Sequence, residues 1–233
     1  MVPAMGLPAV HRKNVVVTST GRRIRLPDVP GITRERHWWS QGATVAGVDE
    51  VGRGAWAGPV TFAALVLPSE RRMYKLRDSK MLDPGRREEL ASRLHDFAEG
   101  IGIGHATNVE IDALGMSDAM RLAARRAVAA LLVPVDVFLI DGNWNMLSAL
   151  EQPAETIVHG DARCASIAAA SIVAKVTRDR MMTALCPSYP HYVFSSNKGY
   201  PSPPHVAALD RYGPCALHRH TWEPIRARTR HSA

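Results

Sequence analysis

Cysteine is scarce. Cys164, Cys186 and Cys215 are odd in number and far apart. They form no disulfide framework and their spacing fits no zinc site, so a reducing, cytoplasmic setting is the expectation. Long apolar runs are also missing. The longest, near Ala63–Leu67 and Val137–Ile140, are strand-sized and fall short of the roughly 18 residues that a membrane helix needs. The first residues carry no basic stretch ahead of their apolar ones, so no secretory signal is expected. No internal repeat, long low-complexity segment or heptad pattern is visible, which makes a monomer the default. What remains is ordinary globular usage, 46% hydrophobic and 22% charged over 233 residues, enough chain for one domain with its own core.

Acid is the other shortage: 22 Asp and Glu face 29 Lys and Arg, a net charge of +7. Such a balance invites a polyanionic partner such as nucleic acid, although a merely soluble basic protein would show it too. The excess lies at the ends. Residues 1–43 hold seven basic residues against two acids and residues 217–233 four against one, whereas 44–216 hold 18 against 19. The expected organisation is a basic, partly flexible extension over 1–43, a catalytic domain over 44–224 and a basic tail over 225–233. Within the extension, Asn14–Leu26 reads as a small hairpin around Thr20-Gly21. Arg226, Arg228 and Arg230 read as a fraying end.

The middle alternates strand and helix signals, the pattern of a mixed α/β domain. Strands are expected at Thr44–Glu50, Pro59–Leu67, Ile101–Thr107, Val135–Asp141 and Thr156–His159. Asp83-Pro84 marks a helix start, with Leu90, Leu94 and Phe97 as its apolar face and Gly100 as its stop. Ser117 reads as the cap of a helix striped by Met120, Ala124, Ala127 and Leu131. Arg163–Leu185 reads as a long Ala- and Ser-rich helix suited to close packing, and His205–Tyr212 as a further one.

Four carboxylates fall at predicted strand ends: Asp49 and Glu50, Asp141, and Asp161 after Gly160. One rim of an α/β sheet is the usual ligand site. Acids gathered there would take up protons unless a cation offsets them, and their oxygens suit Mg²⁺ or Mn²⁺. Plainer roles exist for each. Asp161 suits a helix N-cap, and Asp141 before Gly142 a turn. Asp49 and Glu50 face opposite sides of a regular strand, so both reach one site only if the strand breaks between them, a freedom that Gly52 and Gly54 supply. Asp136 is set aside because it lies at the far end of its strand, and Asp179, between two arginines, as a solvated helix residue. Gly52-Arg53-Gly54 lets a backbone approach a phosphate or sugar. Asn197-Lys198-Gly199-Tyr200-Pro201 offers charge and stacking to a nucleic-acid backbone, or is a surface turn with an anchoring tyrosine. Asp78-Ser79-Lys80 reads as a phosphate contact or a plain loop, and His218-Arg219-His220 as surface or phosphate contacts rather than a metal site.

Taken together, these segments resemble the bacterial ribonuclease HII family, the type 2 ribonucleases H. They are Ala46–Gly54 (AGVDEVGRG) with Gly58-Pro59, Asp78-Ser79-Lys80, Leu139–Gly142 (LIDG), Gly160-Asp161, Ala168–Asp179 (AAASIVAKVTRD), Lys198–Pro201 (KGYP) and His218-Arg219. The resemblance implies an RNase H-like α/β fold, a mixed sheet flanked by helices, with additional C-terminal helices. It implies metal ligation by Asp49, Glu50, Asp141 and Asp161, with two divalent ions, Mn²⁺ or Mg²⁺, in the catalytic complex. It places Gly52, Arg53 and Gly54 on the ribose 2′-hydroxyl, Tyr200 on the next sugar, and Lys80, with Lys198, on the substrate backbone. The implied partners are RNA/DNA hybrid and ribonucleotide-containing duplex DNA, cleaved to leave 5′-phosphate and 3′-hydroxyl ends, with no membrane. Asn197 stands where a histidine is common, and His220-Thr221-Trp222 where Arg-Ser-Phe is more usual. An RNase H-fold DNA nuclease of the transposase type would share the acids without needing a 2′-hydroxyl reader. A non-catalytic nucleic-acid-binding protein would have no use for them.

Overall fold

The computed structural model describes residues 15–17, 23–25, 29–71, 73, 76 and 83–229, with backbone alone for the first two segments. The expected hairpin is present as β1 (Val15–Val17) and β2 (Arg23–Arg25), paired antiparallel. Helix α1 (Thr33–Trp39) follows. The body is built on β3 (Val45–Val51), β4 (Val60–Val66), α2 (Pro84–Phe97), β5 (Gly100–Ala106), α3 (Asn108–Leu114), α4 (Met116–Ala129), β6 (Val137–Asp141), β7 (Ala154–Ile157) and α5 (Ala165–Leu185). Three short helices close the chain: α6 (Phe194–Asn197), α7 (Pro203–Tyr212) and α8 (Glu223–Thr229).

The five-stranded sheet runs β5-β4-β3-β6-β7. Its first three strands pair antiparallel, and β3, β6 and β7 run parallel. All seven residues of β4 are buried, as befits a strand covered on both faces. One face packs Ala46, Val48, Phe62 and Phe138 against α3 and α4, and the other packs Ala63 and Leu65 against α2 and α5. Glycines let the helices come close. A Cβ on Gly47 would lie 2.2 Å from the Ser166 carbonyl carbon of α5, and one on Gly104 would lie 2.1 Å from the Ala123 oxygen of α4.

Gly100 is therefore not a helix stop. The chain leaves α2 at Ala98, and Gly100 opens β5 against Val133. Ser117 is not a cap either. Thr107 and Glu110 form a capping box that starts α3, and the chain turns at Gly115 (φ 78°) directly into α4.

The expected extension and tail are partly absorbed into the body. The Gly31 N–H donates to Arg163 O at 3.1 Å, and the Ala165 N–H donates to Gly31 O at 2.8 Å. Glu35, fully buried, accepts from the Ser166 N–H at 2.9 Å and hydroxyl at 2.8 Å, so α1 caps the N-terminus of α5. Its other oxygen, Oε2, has no partner among the described residues, and burial raises the pKa of the carboxyl. At the other end, Ile225 is buried and Arg228 pairs with Asp210 at 2.6 Å, which makes 223–229 a docked helix.

Candidate active site

Because β3, β6 and β7 are parallel, their C-terminal ends share one rim. There Asp49, Glu50 and Asp141 line a cleft of about 360 Å³. The strand carrying Asp49 and Glu50 does not break between them, contrary to expectation. Its ladder with β4 runs on through Glu50 and Val51, whereas its pairing with β6 ends at Val48. Past Val48 one side of β3 is thus open, and both acids reach the cleft. The break comes later, at Gly52 (φ 88°).

Asp49 is 5% exposed, and its Oδ1 accepts the Glu50 N–H at 2.7 Å. Burial, then Asp141 and Glu50, hold its carboxyl well above the usual carboxylate range, and a hydrogen bond from Ser171 of α5 only partly offsets them. Asp141 Oδ1 accepts the Gly160 N–H at 2.6 Å. A side chain at 160 would displace that contact, since its Cβ would lie 3.2 Å from Asp141 Oδ1 and 2.6 Å from Ile167. Asp161 follows at 3% exposure in the turn Gly160–Ala162. It is not the N-cap of α5; Cys164 is, without a side-chain bond. Asp161 thus sits beside the residue that grips Asp141, just outside the cleft lining. Asp136, at the other end of β6, accepts the Thr44 N–H at 2.8 Å.

The facing wall is backbone. Gly52, Arg53 and Gly54 line the cleft with Tyr200, whose hydroxyl accepts the Gly52 N–H at 3.1 Å. The N–H groups of Trp56 and Ala57 donate to Gly199 O at 2.8 and 3.2 Å, joining the two loops. The Asn197 Oδ1 accepts the Gly199 N–H at 2.8 Å and its Nδ2 donates to Tyr192 O at 2.6 Å, so this asparagine stitches the turn. Lys198 lies off the lining, and its ammonium donates to Ser195 O. Lys80, with Asp78 and Ser79, lies outside the described residues.

Three groups escaped the sequence reading. Ser171 and Lys175, one helical turn apart on α5, line the cleft. Their signal is the i, i+4 polar pair at the end of the Ala-rich first half of the helix. Lys175 pairs with Asp179 at 2.8 Å, so Asp179 is half-buried rather than solvated. The third is Arg178, which is 0% exposed.

His218 and Arg219 are buried too, which overturns the surface reading of that segment. His218 Nε2 and His205 Nε2 are 3.0 Å apart, the Cys215 N–H donates to His218 Nδ1 at 2.9 Å, and His205 Nδ1 lies 2.8 Å from Tyr200 O. One neutral tautomer pair satisfies this chain. His205 Nδ1–H donates to Tyr200 O, His218 Nε2–H donates to His205 Nε2, and Nδ1 of His218 accepts. Every imidazole nitrogen is used, so neither ring is available to a metal. Among the described residues no three acidic, imidazole or thiol side chains form a ready-made metal cage.

A mixed sheet with acids gathered where its parallel strands end, faced by a glycine-rich backbone loop, defines a nuclease of the ribonuclease H class. The comparison with family models narrows this, for residues 46–225 match Ribonuclease HII. A ribonuclease HII of Streptomyces avermitilis is 47% identical over 178 residues, 76% of each chain. Among solved structures, the ribonuclease H2 of Pyrococcus horikoshii is 30% identical with a TM-score of 0.70, covering 81% of this chain and 98% of that one. A Bst-RNase HIII crystallised with Mn²⁺ shares the fold at 16% identity and a TM-score of 0.62, over 82% of this chain and 70% of that one. The chain belongs to the ribonuclease HII family. It is an endoribonuclease, a hydrolase acting on RNA/DNA hybrids. Among the described residues no helix is long and apolar enough to cross a membrane.

Proposed function

We propose that the chain hydrolyses the RNA strand of RNA/DNA hybrids, and the phosphodiester at single ribonucleotides in duplex DNA, at the cleft between Asp49 and Gly54. One observation carries this reading: acids at parallel strand ends and an unpaired stretch of backbone N–H share one cleft. Among the described residues the N–H groups of Arg53 and Gly54 donate to no acceptor. They are donors for a ribose 2′-oxygen, and being backbone they ask nothing of the base. Tyr200, whose hydroxyl oxygen is already taken by Gly52, offers its ring face to the next sugar and its proton to an oxygen there.

The acids fit divalent cations. A carboxyl held above its ordinary range by burial, and then by two like charges, is stabilised by a cation, and a hard ion that keeps several waters needs an open carboxylate rim rather than a closed cage. Asp49, Glu50 and Asp141 would hold such ions, with Asp161 completing the set. Two ions, Mg²⁺ or Mn²⁺, supply a low-pKa water and charge stabilisation at phosphorus when bound. Ser171 and the Glu50 N–H keep Asp49 oriented, and the Gly160 N–H does the same for Asp141. Lys198 and Lys80 would pair the flanking phosphates.

The test is a DNA duplex carrying one ribonucleotide, incubated with Mg²⁺ or Mn²⁺. Cleavage at the ribonucleotide, leaving 5′-phosphate and 3′-hydroxyl ends, is expected. No cleavage with either metal overturns the proposal, and equal cleavage of an all-DNA duplex overturns the role given to the 2′-hydroxyl.

A further inference from the structure

We infer that Arg178 and Arg219 are positioning residues for ribose recognition: a buried guanidinium pair draws the carbonyls of both cleft loops inward and leaves the Arg53 and Gly54 N–H groups facing the substrate. The inference rests on the reading of the cleft given above.

Both side chains are 0% exposed, and neither has an ion-pair partner among the described residues. Backbone oxygens satisfy them instead. Arg219 donates from Nη2 to Gly52 O at 2.6 Å and Gly58 O at 3.1 Å, from Nε to Gly58 O at 3.2 Å, and from Nη1 to Arg53 O at 2.8 Å. Arg178 donates from Nε to Pro59 O at 2.9 Å, from Nη2 to Ala57 O at 3.0 Å and from Nη1 to Lys198 O at 2.8 Å. Two residues 41 positions apart thus collect six carbonyls from two loops that are distant in sequence. The nearest acids are spent elsewhere: Asp179 on Lys175, and Asp112 on the His220 and Thr221 N–H groups.

Burying cations without carboxylates is costly, and an apolar filling of the same volume is often the more stable choice. Burial, then Arg178, pushes the Arg219 guanidinium down to about 9, so it stays charged at neutral pH. What the pair accomplishes follows from the peptide plane. In a trans peptide the C=O of one residue and the N–H of the next point opposite ways. Holding Gly52 O inward therefore turns the Arg53 N–H outward, and holding Arg53 O inward turns the Gly54 N–H outward. Both N–H groups line the cleft, and among the described residues neither has an acceptor. Arg178 performs the matching task on the second loop, holding Lys198 O while its guanidinium carbon sits 5.3 Å from the Tyr200 ring centre. Gly52 is required at the junction, since a Cβ there would lie 2.2 Å from Arg178 Nε.

The test compares Arg219→Lys and Arg178→Lys with the wild type on duplexes carrying a ribonucleotide or a deoxynucleotide at the same position, with Mn²⁺. Lysine keeps the charge and loses the fork. Arg219→Lys should raise KM for the ribonucleotide duplex and shrink the preference for ribose by about tenfold each, with the loss on KM rather than kcat and the Mn²⁺ midpoint unmoved. A lower melting temperature with unchanged KM and unchanged ribose preference would reduce the pair to scaffolding and overturn the inference. If the variants do not fold, amide exchange in the wild type decides. The Arg53 and Gly54 amides should exchange freely in the protein alone and slow when the ribonucleotide duplex is added in Ca²⁺. Protection already present in the protein alone overturns the inference. A wild type with no ribose preference would instead defeat the proposed function.

Discussion

The two walls of the cleft are built by opposite means. The acidic wall is the end of a sheet, where acids line the cleft and burial, then Asp141 and Glu50, raise the proton affinity of Asp49. The facing wall is irregular backbone, and its charge lies beneath it, on Arg178 and Arg219. One wall is rigid because its strands are paired. The other is rigid because two buried cations grip its carbonyls. Under the proposed function, chemistry falls to side chains and recognition to peptide groups, so substituting one wall should spare what the other does.

Breaking the acidic wall should have the largest effect. Asp49→Asn keeps the shape and removes the charge that two neighbouring acids already make costly. Cleavage should fall by about a thousandfold or more while duplex affinity stays within a few-fold. Single-turnover cleavage alongside equilibrium binding checks this, and near-normal turnover would refute the metal role.

The His205–His218 pair behind the backbone wall should fail in acid. Burial, then His205 and His220, pushes His218 down to about 4, against the backbone carbonyl of Cys215, which favours the proton. A folded pKa below the ordinary value of 6.5 means that the unfolded chain takes the proton first. This contribution to stability is therefore intact above about pH 6.5 and drains away as pH falls towards 4, by roughly 3 kcal/mol in all. Urea melts of wild type and His218→Gln between pH 7 and 4 isolate it from the carboxylates, since only the wild type has this proton to gain. Parallel pH profiles for the two proteins would remove the histidine pair from the account.

A smaller effect is expected at the junction of the walls. Gly52→Ala meets Arg178 and adopts its φ of 88° only under strain. KM for the ribonucleotide duplex should rise about tenfold, while metal affinity stays close to wild type. A shift in the metal midpoint of the same size would show that the two walls are mechanically one.

The acidic wall was the more legible in sequence. Strand patterning placed Asp49, Glu50 and Asp141 at strand ends, and parallel pairing did the rest. The backbone wall was half legible. Its glycines and Tyr200 stand out, but Arg178 sits in a helix among charged neighbours and looks like surface. Its burial depends on the meeting of α5, the 57–59 turn and Lys198, a tertiary event with no local signature. The histidines failed for the same reason, since adjacent His and Arg in a loop read as solvated until residues 56–58 pair with 217–219. Glu35 was hidden by composition, because a stretch rich in Arg, Pro and Gly reads as extension even where one helix docks.

The smallest effect concerns the charge lying off both walls. Residues 1–28 hold five basic residues against one acid, and their expected contribution is salt-sensitive, sequence-independent affinity. Cutting at 43 would not isolate it, because that cut also removes Gly31 and Glu35 and uncaps α5. Deleting only 1–28 leaves α1 in place. Hybrid affinity at low salt should then fall by a few-fold. The slope of log affinity against log salt should flatten, by up to about 0.9 for each phosphate that is no longer neutralised. Cleavage at saturating substrate should not change. If affinity and slope both stay as in the full chain, the positive charge at this end is incidental and substrate is held by the two walls alone. If turnover falls instead, these residues act on the cleft itself, and the separation of binding charge from catalytic charge does not hold.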